Sequence, residues 1–236
     1  AAHKITILAS IAFGIPINFD AVHVEGISNL SQKDITYAEE LGYKIKLLGI
    51  AKSQNADVEI RVHPTLVPKN RLVANVDGAM NAVLVHGNMV GPTLYYGAGA
   101  GAEPTASAVV ADVIDIARQT KLSQNTLIPS LGFMPDKINE KNILSIENIF
   151  SEYYLRFTMK NQAGLLAKIT NIFADHDISI NSMVHKEVQE NNQNPDIFLI
   201  TSKTKEADID IIISEIELLP ENTEKVVKIR TEELNK

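Results

Sequence analysis

Apolar residues recur along this chain with two periods, and the switches between them mark its elements. Residues 2 to 13 are apolar on almost every side, with Ile5, Ile7, Leu8, Ala9, Ile11, Ala12 and Phe13 among them, which predicts a buried helix ended by Gly14 and Pro16. Ser31 reads as the cap of a second helix over Gln32–Leu41, with Gly42 as its stop. Tyr43–Ala51 predicts a strand, Asn55-Ala56-Asp57 a turn, and Val58–Pro64 a strand of alternating apolar and polar residues. The two strands predict an antiparallel hairpin with one solvated face. Asn81–His86 and Met89–Tyr96 predict two more strands, turned at Gly87-Asn88. A long helix follows from Pro104, placed as its first residue, to about Thr120, slim at Ala106, Ser107, Ala108 and Ala111.

Periodicity is lost over residues 121 to 148, where Pro129, Gly132, Pro135 and several Asn and Ser read as a linker with local structure. From Phe150 the pattern restarts. Tyr153–Met159 is a strand, Gly164–Ala174 an amphipathic helix and Ile178–Val188 a strand, with a turn at Asn191–Asn194. Ile197–Ser202 is a strand, Glu206–Glu217 a helix and Thr223–Ile229 the closing strand. That order, βαββαβ, is ferredoxin-like. The expected fold class is therefore α+β, with a mixed or antiparallel sheet and helices on one face over residues 1–120, a linker over 121–148 and a ferredoxin-like unit over 149–236.

Composition narrows the function classes. The chain has 236 residues, 45% hydrophobic and 22% charged, as expected of one or two soluble globular domains. A formal net charge of −7 offers no basic surface and argues against nucleic acid as a partner. With no cysteine there is no disulfide framework or thiolate chemistry, which fits a cytoplasmic setting. Apolar runs stop short of the roughly 20 residues that span a bilayer, so no membrane partner is expected. The six histidines show no metal-ligand spacing, and no metal is assigned. Asp112 and Asp115 read as charged helix surface. Ala1-Ala2-His3-Lys4 runs straight into the first helix without an initiator Met, which suggests a natural beginning further upstream.

Two segments carry candidate chemistry. Asn161-Gln162-Ala163-Gly164 joins a strand end to a helix start, where unpaired N–H groups and a partial positive charge suit a carboxylate, and Asn161 could cap the helix. With Leu165-Leu166-Ala167-Lys168-Ile169 and Ile178-Ser179-Ile180-Asn181-Ser182 behind it, the loop resembles the ACT domain over residues 150 to 231. The resemblance implies a small effector, usually an amino acid, at Asn161, Ala163, Gly164, Leu165 and Asn181, and side-by-side pairing of copies. Asn161 stands where many members carry Asp, so it cannot pair electrostatically with an ammonium group. Lys4, in the first turn of an apolar helix, reads either as a snorkelling side chain or as a desolvated proton carrier.

Four motifs stand in order over residues 1 to 120: the Lys4 helix; Val24-Glu25-Gly26-Ile27; Val73 through Ala82; and Gly97 through Pro104 to Asp112. Together they resemble homoserine dehydrogenase. The resemblance implies NADP- or NAD-dependent interconversion of L-homoserine and L-aspartate 4-semialdehyde, with Lys4 as the catalytic proton carrier. Gly99, Gly101 and Glu103 would border the cofactor, which a preceding dinucleotide domain would mainly hold, and residues 97–120 would return to that domain. The resemblance further implies a homo-oligomer, at least a dimer, joined by the strands between residues 43 and 96, and threonine as effector. The alternative is an amino-acid-binding and dimerisation module without catalysis.

Overall fold

The computed structural model describes residues 1–54, 57–120, 128–186 and 194–234. The turn expected at Asn55-Ala56, the strand end at Glu187-Val188, most of the Asn191–Asn194 turn and the linker's residues 121–127 lie outside them.

The first helix, α1 (Ala2–Phe13), has the expected bounds but is not buried as expected. It covers only Thr6, Ala9 and Ser10 completely, while Ile7, Leu8 and Ile11 are exposed. The short strand β1 (His23–Val24) carried no readable signal. In α2 (Gln32–Glu40), Ser31 caps as predicted: its Oγ accepts from the Asp34 N–H, and the Asp34 carboxylate accepts from the Ser31 N–H, a reciprocal box. Strands β2 (Tyr43–Gln54) and β3 (Asp57–Pro68) form the long antiparallel hairpin.

The predicted solvated face of this hairpin does not exist on β3. Both faces of β3 are buried, including the polar residues Glu59, Arg61, His63 and Thr65. The reason lies in the far half of the chain. There, β6 (Phe150–Ser151), β7 (Tyr153–Thr158), α4 (Leu165–Asp175), β8 (Ile180–Lys186), β9 (Asp196–Thr201), β10 (Thr204–Lys205), α5 (Glu206–Glu217) and β11 (Val227–Thr231) give the βαββαβ unit. Its four main strands pair antiparallel in the order β11-β7-β9-β8. Strand β11 also pairs in parallel with β3, at Arg230↔Thr65 and Thr231↔Leu66. The two halves therefore share one seven-stranded sheet, where the sequence suggested two separate sheets.

The closing strand begins at Val227, four residues later than predicted. The edge of β3 that β2 leaves open is shared by three short partners: Ile143 beside Val58, β1 beside Arg61 and Val62, and β11 beside Thr65 and Leu66. The described part of the expected linker is thus tied down. Phe133 lies against Gly14, the Asn139 N–H donates to the Gly14 carbonyl, and the Val58 N–H donates to the Asn142 carbonyl.

Side chains sort onto two faces of the joined sheet. On one, Tyr153, Leu155, Phe157 and Leu199 meet Leu165, Ile169 and Phe173 of α4 and Ile209, Ile212 and Ile216 of α5. On the other, Leu66, Tyr154, Phe198 and Ile229 meet Tyr37 and Ala38 of α2, and Val58, Ile60 and Val62 meet Ala9 of α1. The face of the ferredoxin-like sheet that its own helices leave bare is therefore covered by α2. The Tyr37 and Phe198 rings stack there at 4.4 Å.

The hairpin β4 (Met80–Gly87) and β5 (Gly91–Ala98) forms its own two-stranded sheet. Its turn is Asn88-Met89-Val90, so Met89, expected as the first strand residue, is at the turn and fully exposed. Helix α3 (Ala102–Gln119) starts two residues before the predicted Pro104, which sits third, still among N–H groups that need no helical partner. Every residue of α3 but Gln119 is exposed, Val109, Val110, Val113, Ile114 and Ile116 included.

Phe198 is wholly buried and joins the two halves through Tyr37. Phe198→Ala is expected to lower stability by roughly 3–5 kcal/mol, and to do so in a single urea transition that moves both halves together.

Candidate functional site

Lys4 lies in the first turn of α1, next to Ile5, whose Cβ stands 3.1 Å from where a Cβ on Gly49 would lie. That contact leans the start of α1 closely onto β2. The Lys4 side chain is solvent-exposed rather than desolvated, and among the described residues its ammonium makes no ion pair or hydrogen bond. It is an uncommitted cation on an exposed helix start.

The Gly97–Gly101 run leaves the end of β5 and enters α3. A Cβ on Gly99 would strike the Asn81 side chain at 2.1 Å, and Gly101 caps α3 with φ +130°. Both glycines thus answer a local need. Glu103 puts a carboxylate in the first turn of α3, which complements the helix dipole and disfavours a phosphate at that end. These residues form an open rim and not a phosphate cradle, so they fit at most one edge of a dinucleotide.

In the second half, Gly164 takes φ +85° and is itself the N-terminal cap of α4. The predicted cap by Asn161 is not made; Asn161 is exposed, and the Leu165 N–H donates to the Gln162 carbonyl. Asn161, Gln162, Gly164, Leu165, Leu166 and Ala167 line a shallow cavity of about 210 Å³, closed on one side by His185 of β8. Ala163 sits in the same loop without lining it. Asn181 is not brought there. It is at the opposite end of β8, donating to the Thr201 carbonyl at 3.1 Å and the Glu152 carboxylate at 3.3 Å. His185, the sixth residue of β8, was not singled out as a lining residue, because only strand register places it opposite the loop.

Between the halves lie two polar clusters. On the α5 face, Arg230 of β11 is 1% exposed and forks onto Glu25, with Nη1 and Nη2 donating at 3.0 and 2.8 Å. Its Nε donates to Glu206 at 2.7 Å, and Glu206 also accepts from the Tyr153 hydroxyl and Lys228. Burial raises the Glu25 carboxyl pKa, but hydrogen bonds from His23 and Arg230 outweigh it and hold Glu25 well below the usual carboxylate range. Beside this cluster Arg61 donates to Glu59 and contacts His63 Nε2 at 2.5 Å. His63 Nδ1 faces the Pro64 carbonyl at 2.9 Å, which sets the proton on Nδ1. Burial, with Arg230 and Arg61 nearby, pushes the His63 pKa down to about 3.

On the α2 face, Arg156 of β7 donates from Nε to Asp34 at 2.6 Å and from Nη2 at 3.4 Å. Asp196 accepts from Thr158, Tyr37 and Lys33. Burial would raise Asp196, but these bonds bring its pKa below the ordinary value. Burial of its ring, and after it the hydrogen bond to the Asp196 carboxylate, pushes the Tyr37 hydroxyl up to about 12. None of these ion pairs was legible beforehand; the Ser31-x-x-Asp34 spacing was the one available signal, and it points to a helix cap.

The geometry defines an α+β unit with an exposed lysine at a helix start, welded to a ferredoxin-like unit with a shallow pocket at a glycine-capped helix. Comparison with known proteins agrees in both halves. The family model for homoserine dehydrogenase matches residues 1–114, and the ACT domain model matches residues 153–221. A homoserine dehydrogenase of Pseudomonas aeruginosa is 48% identical over 235 residues, covering 100% of this chain and 54% of that protein. That of Neisseria gonorrhoeae shows the same identity and coverage. The crystal structure of a homoserine dehydrogenase from Thiobacillus denitrificans superposes with a TM-score of 0.91 at 52% identity, covering 99% of this chain and 53% of that one. The chain belongs to the homoserine dehydrogenase family and carries an ACT domain. It spans about half the length of the curated relatives it matches.

His63 gives a pH signature. Its folded pKa lies below the ordinary value, so between about pH 6.5 and 3 the unfolded chain binds a proton that the folded one does not. Stability is expected to fall on acidification through that window, at up to about 1.4 kcal/mol per pH unit from this group. Urea unfolding at pH 7, 6 and 5 should show the loss, and His63→Gln, which keeps an acceptor for Arg61, should flatten it.

Proposed function

We propose that this chain is the substrate-handling and regulatory portion of an enzyme that interconverts L-homoserine and L-aspartate 4-semialdehyde with NADP or NAD. What supports this most is the uncommitted Lys4 ammonium at the head of α1, within the region matched by the homoserine dehydrogenase family. The bound dinucleotide supplies the hydride acceptor or donor. Its main binding surface would lie outside residues 1–236, with Gly99, Gly101 and Glu103 bordering one edge. In the oxidising direction Lys4, as its neutral amine, would take the hydroxyl proton of homoserine while the carbinol carbon gives up its hydride to the dinucleotide; in the reverse direction Lys4, as the ammonium, would return the proton to the aldehyde oxygen. The exposed apolar stripe of α3 is the surface on which that remaining part would rest. The strands from residue 43 to 96 would join two copies, with Val83, Val85, Tyr95 and Tyr96 exposed on β4 and β5. Residues 1–120 and 149–236 then act as catalytic and regulatory domains in the cytoplasm, fused through one sheet.

The loop Asn161–Leu165 is read as the amino-acid effector site. The cavity suits a small amino acid, and the unpaired N–H groups at the start of α4 suit its carboxylate. Threonine is the first candidate, because a homoserine-forming step feeds its synthesis.

The test is homoserine-dependent reduction of NADP by the full-length enzyme. Lys4→Ala is expected to lower kcat by roughly 10²–10⁴-fold with stability unchanged. An undiminished rate would remove Lys4 from the chemistry.

A further inference from the structure

The two arginine forks hold the same stretch of chain. Arg230 grips Glu25 and Arg156 grips Asp34, and between those carboxylates lie only Gly26 to Lys33. The two arginines sit on β11 and β7, which are neighbouring strands of the ACT unit, and their side chains leave opposite faces of the sheet.

The path of the chain explains the arrangement. β1 follows the open edge of β3 until the Glu25 N–H donates to the Val62 carbonyl at 2.7 Å. From Thr65 onward β11 occupies that edge, so the chain turns off the sheet plane and re-enters as α2 on the other face. The stretch it crosses with is weakly tied in itself. Its internal backbone bond is Leu30 N–H to the Ile27 carbonyl, and Ile27 is 59% exposed. Towards α2, Leu30 packs beside the Tyr37–Phe198 cluster and Lys33 donates to Asp196, while at its two ends the stretch is gripped by guanidinium groups that belong to the other unit. A bidentate guanidinium–carboxylate pair fixes direction as well as distance, which a lysine at the same position cannot do.

The ligand loop lies on the same strand as one of these groups. Arg156 stands two residues before Thr158, the last residue of β7, and Asn161 follows three residues later. A shift of the β7 end on filling the Asn161–Ala167 cavity moves the Arg156 fork directly. Arg230 follows through β11, which pairs with β7 along Val227–Arg230.

We infer that Arg156 and Arg230 are positioning residues, and that the Glu25–Asp34 segment they hold is the relay by which the ACT unit acts on the catalytic unit. The relay rests on the reading of the Asn161 loop as an effector site; the holding does not.

Amide hydrogen exchange by mass spectrometry on the full-length protein separates the two. Arg156→Lys, Arg230→Lys and Glu25→Gln keep charge or shape, and Glu25 is partly exposed, so a folded variant remains available. Each is expected to raise exchange over residues 26–31 by roughly tenfold while residues 196–201 of β9 keep their protection. L-threonine is expected to alter exchange at 161–168 and at 26–31 in the wild type, and at 161–168 alone when both arginines are replaced. Unchanged exchange at 26–31 in all three single variants overturns the holding. A threonine response at 161–168 that never reaches 26–31 overturns the relay. Absence of any threonine response at 161–168 removes the effector reading and the relay with it, and leaves the holding to be decided by the variants.

Discussion

Strand β3 must bury four polar side chains, which partner one another and one carboxylate from the far end of the chain. Glu59, Arg61, His63 and Thr65 occupy one face of β3, and all are 2% exposed or less. A buried charge without a partner costs several kcal/mol, so this face is stable only with counter-groups in place. Arg61 finds Glu59, His63 and Glu232; alongside, Arg230 brings Glu25 and Glu206 into the same layer. Glu232, Arg230 and Glu206 come from residues beyond 200, so the pairing of β11 with β3 sets far-end charges beside the polar face of the first half's hairpin.

That constraint orders the rest. With β11 on the open edge of β3, the ferredoxin-like sheet extends the catalytic one. Its bare face becomes a shelf for α2, where the Tyr37–Phe198 stack supplies apolar contact and Arg156–Asp34 supplies direction. Burial of an ion pair is weak as a source of stability and better suited to specifying a single arrangement. Here the two arginine forks fix how the units meet, while the apolar clusters on both faces supply the driving force. The exposed apolar residues of α1, α3 and the β4–β5 hairpin stand apart from this joint.

Much of this was legible in the sequence, and the failures share one cause. Helices α1, α2 and α5 and the βαββαβ order follow from apolar period and capping residues, because those signals are local. The alternation in Val58–Pro64 shows that one face of the strand is polar; it cannot show whether water or buried ions meet that face. The answer depends on partners such as Glu232, which meets Arg61 from far along the chain. The same limit left Lys4 open between a snorkelling and a desolvated side chain, of which the structure shows the exposed one, and the resemblance grouped Asn181 with a loop that lies at the other end of its strand. His185, which does border the loop, becomes visible only once the β8–β9 register is known. The family motifs around Lys4, Glu25 and Gly97–Pro104 were readable as a set, since their order along the chain survives without knowledge of contacts.

The Glu25–Asp34 segment of the first unit is held by arginines of the ACT unit. A free ACT domain on a flexible tether could bind an amino acid without effect on the chemistry; one that contributes a strand to the same sheet cannot move without moving its neighbour. The most direct measurement is a double-mutant cycle on Glu25 and Arg230, using Glu25→Gln, Arg230→Lys and the double variant in urea unfolding. A shared junction predicts a coupling energy of about 1 kcal/mol or more between the two sites. Additivity within about 0.5 kcal/mol would contradict it.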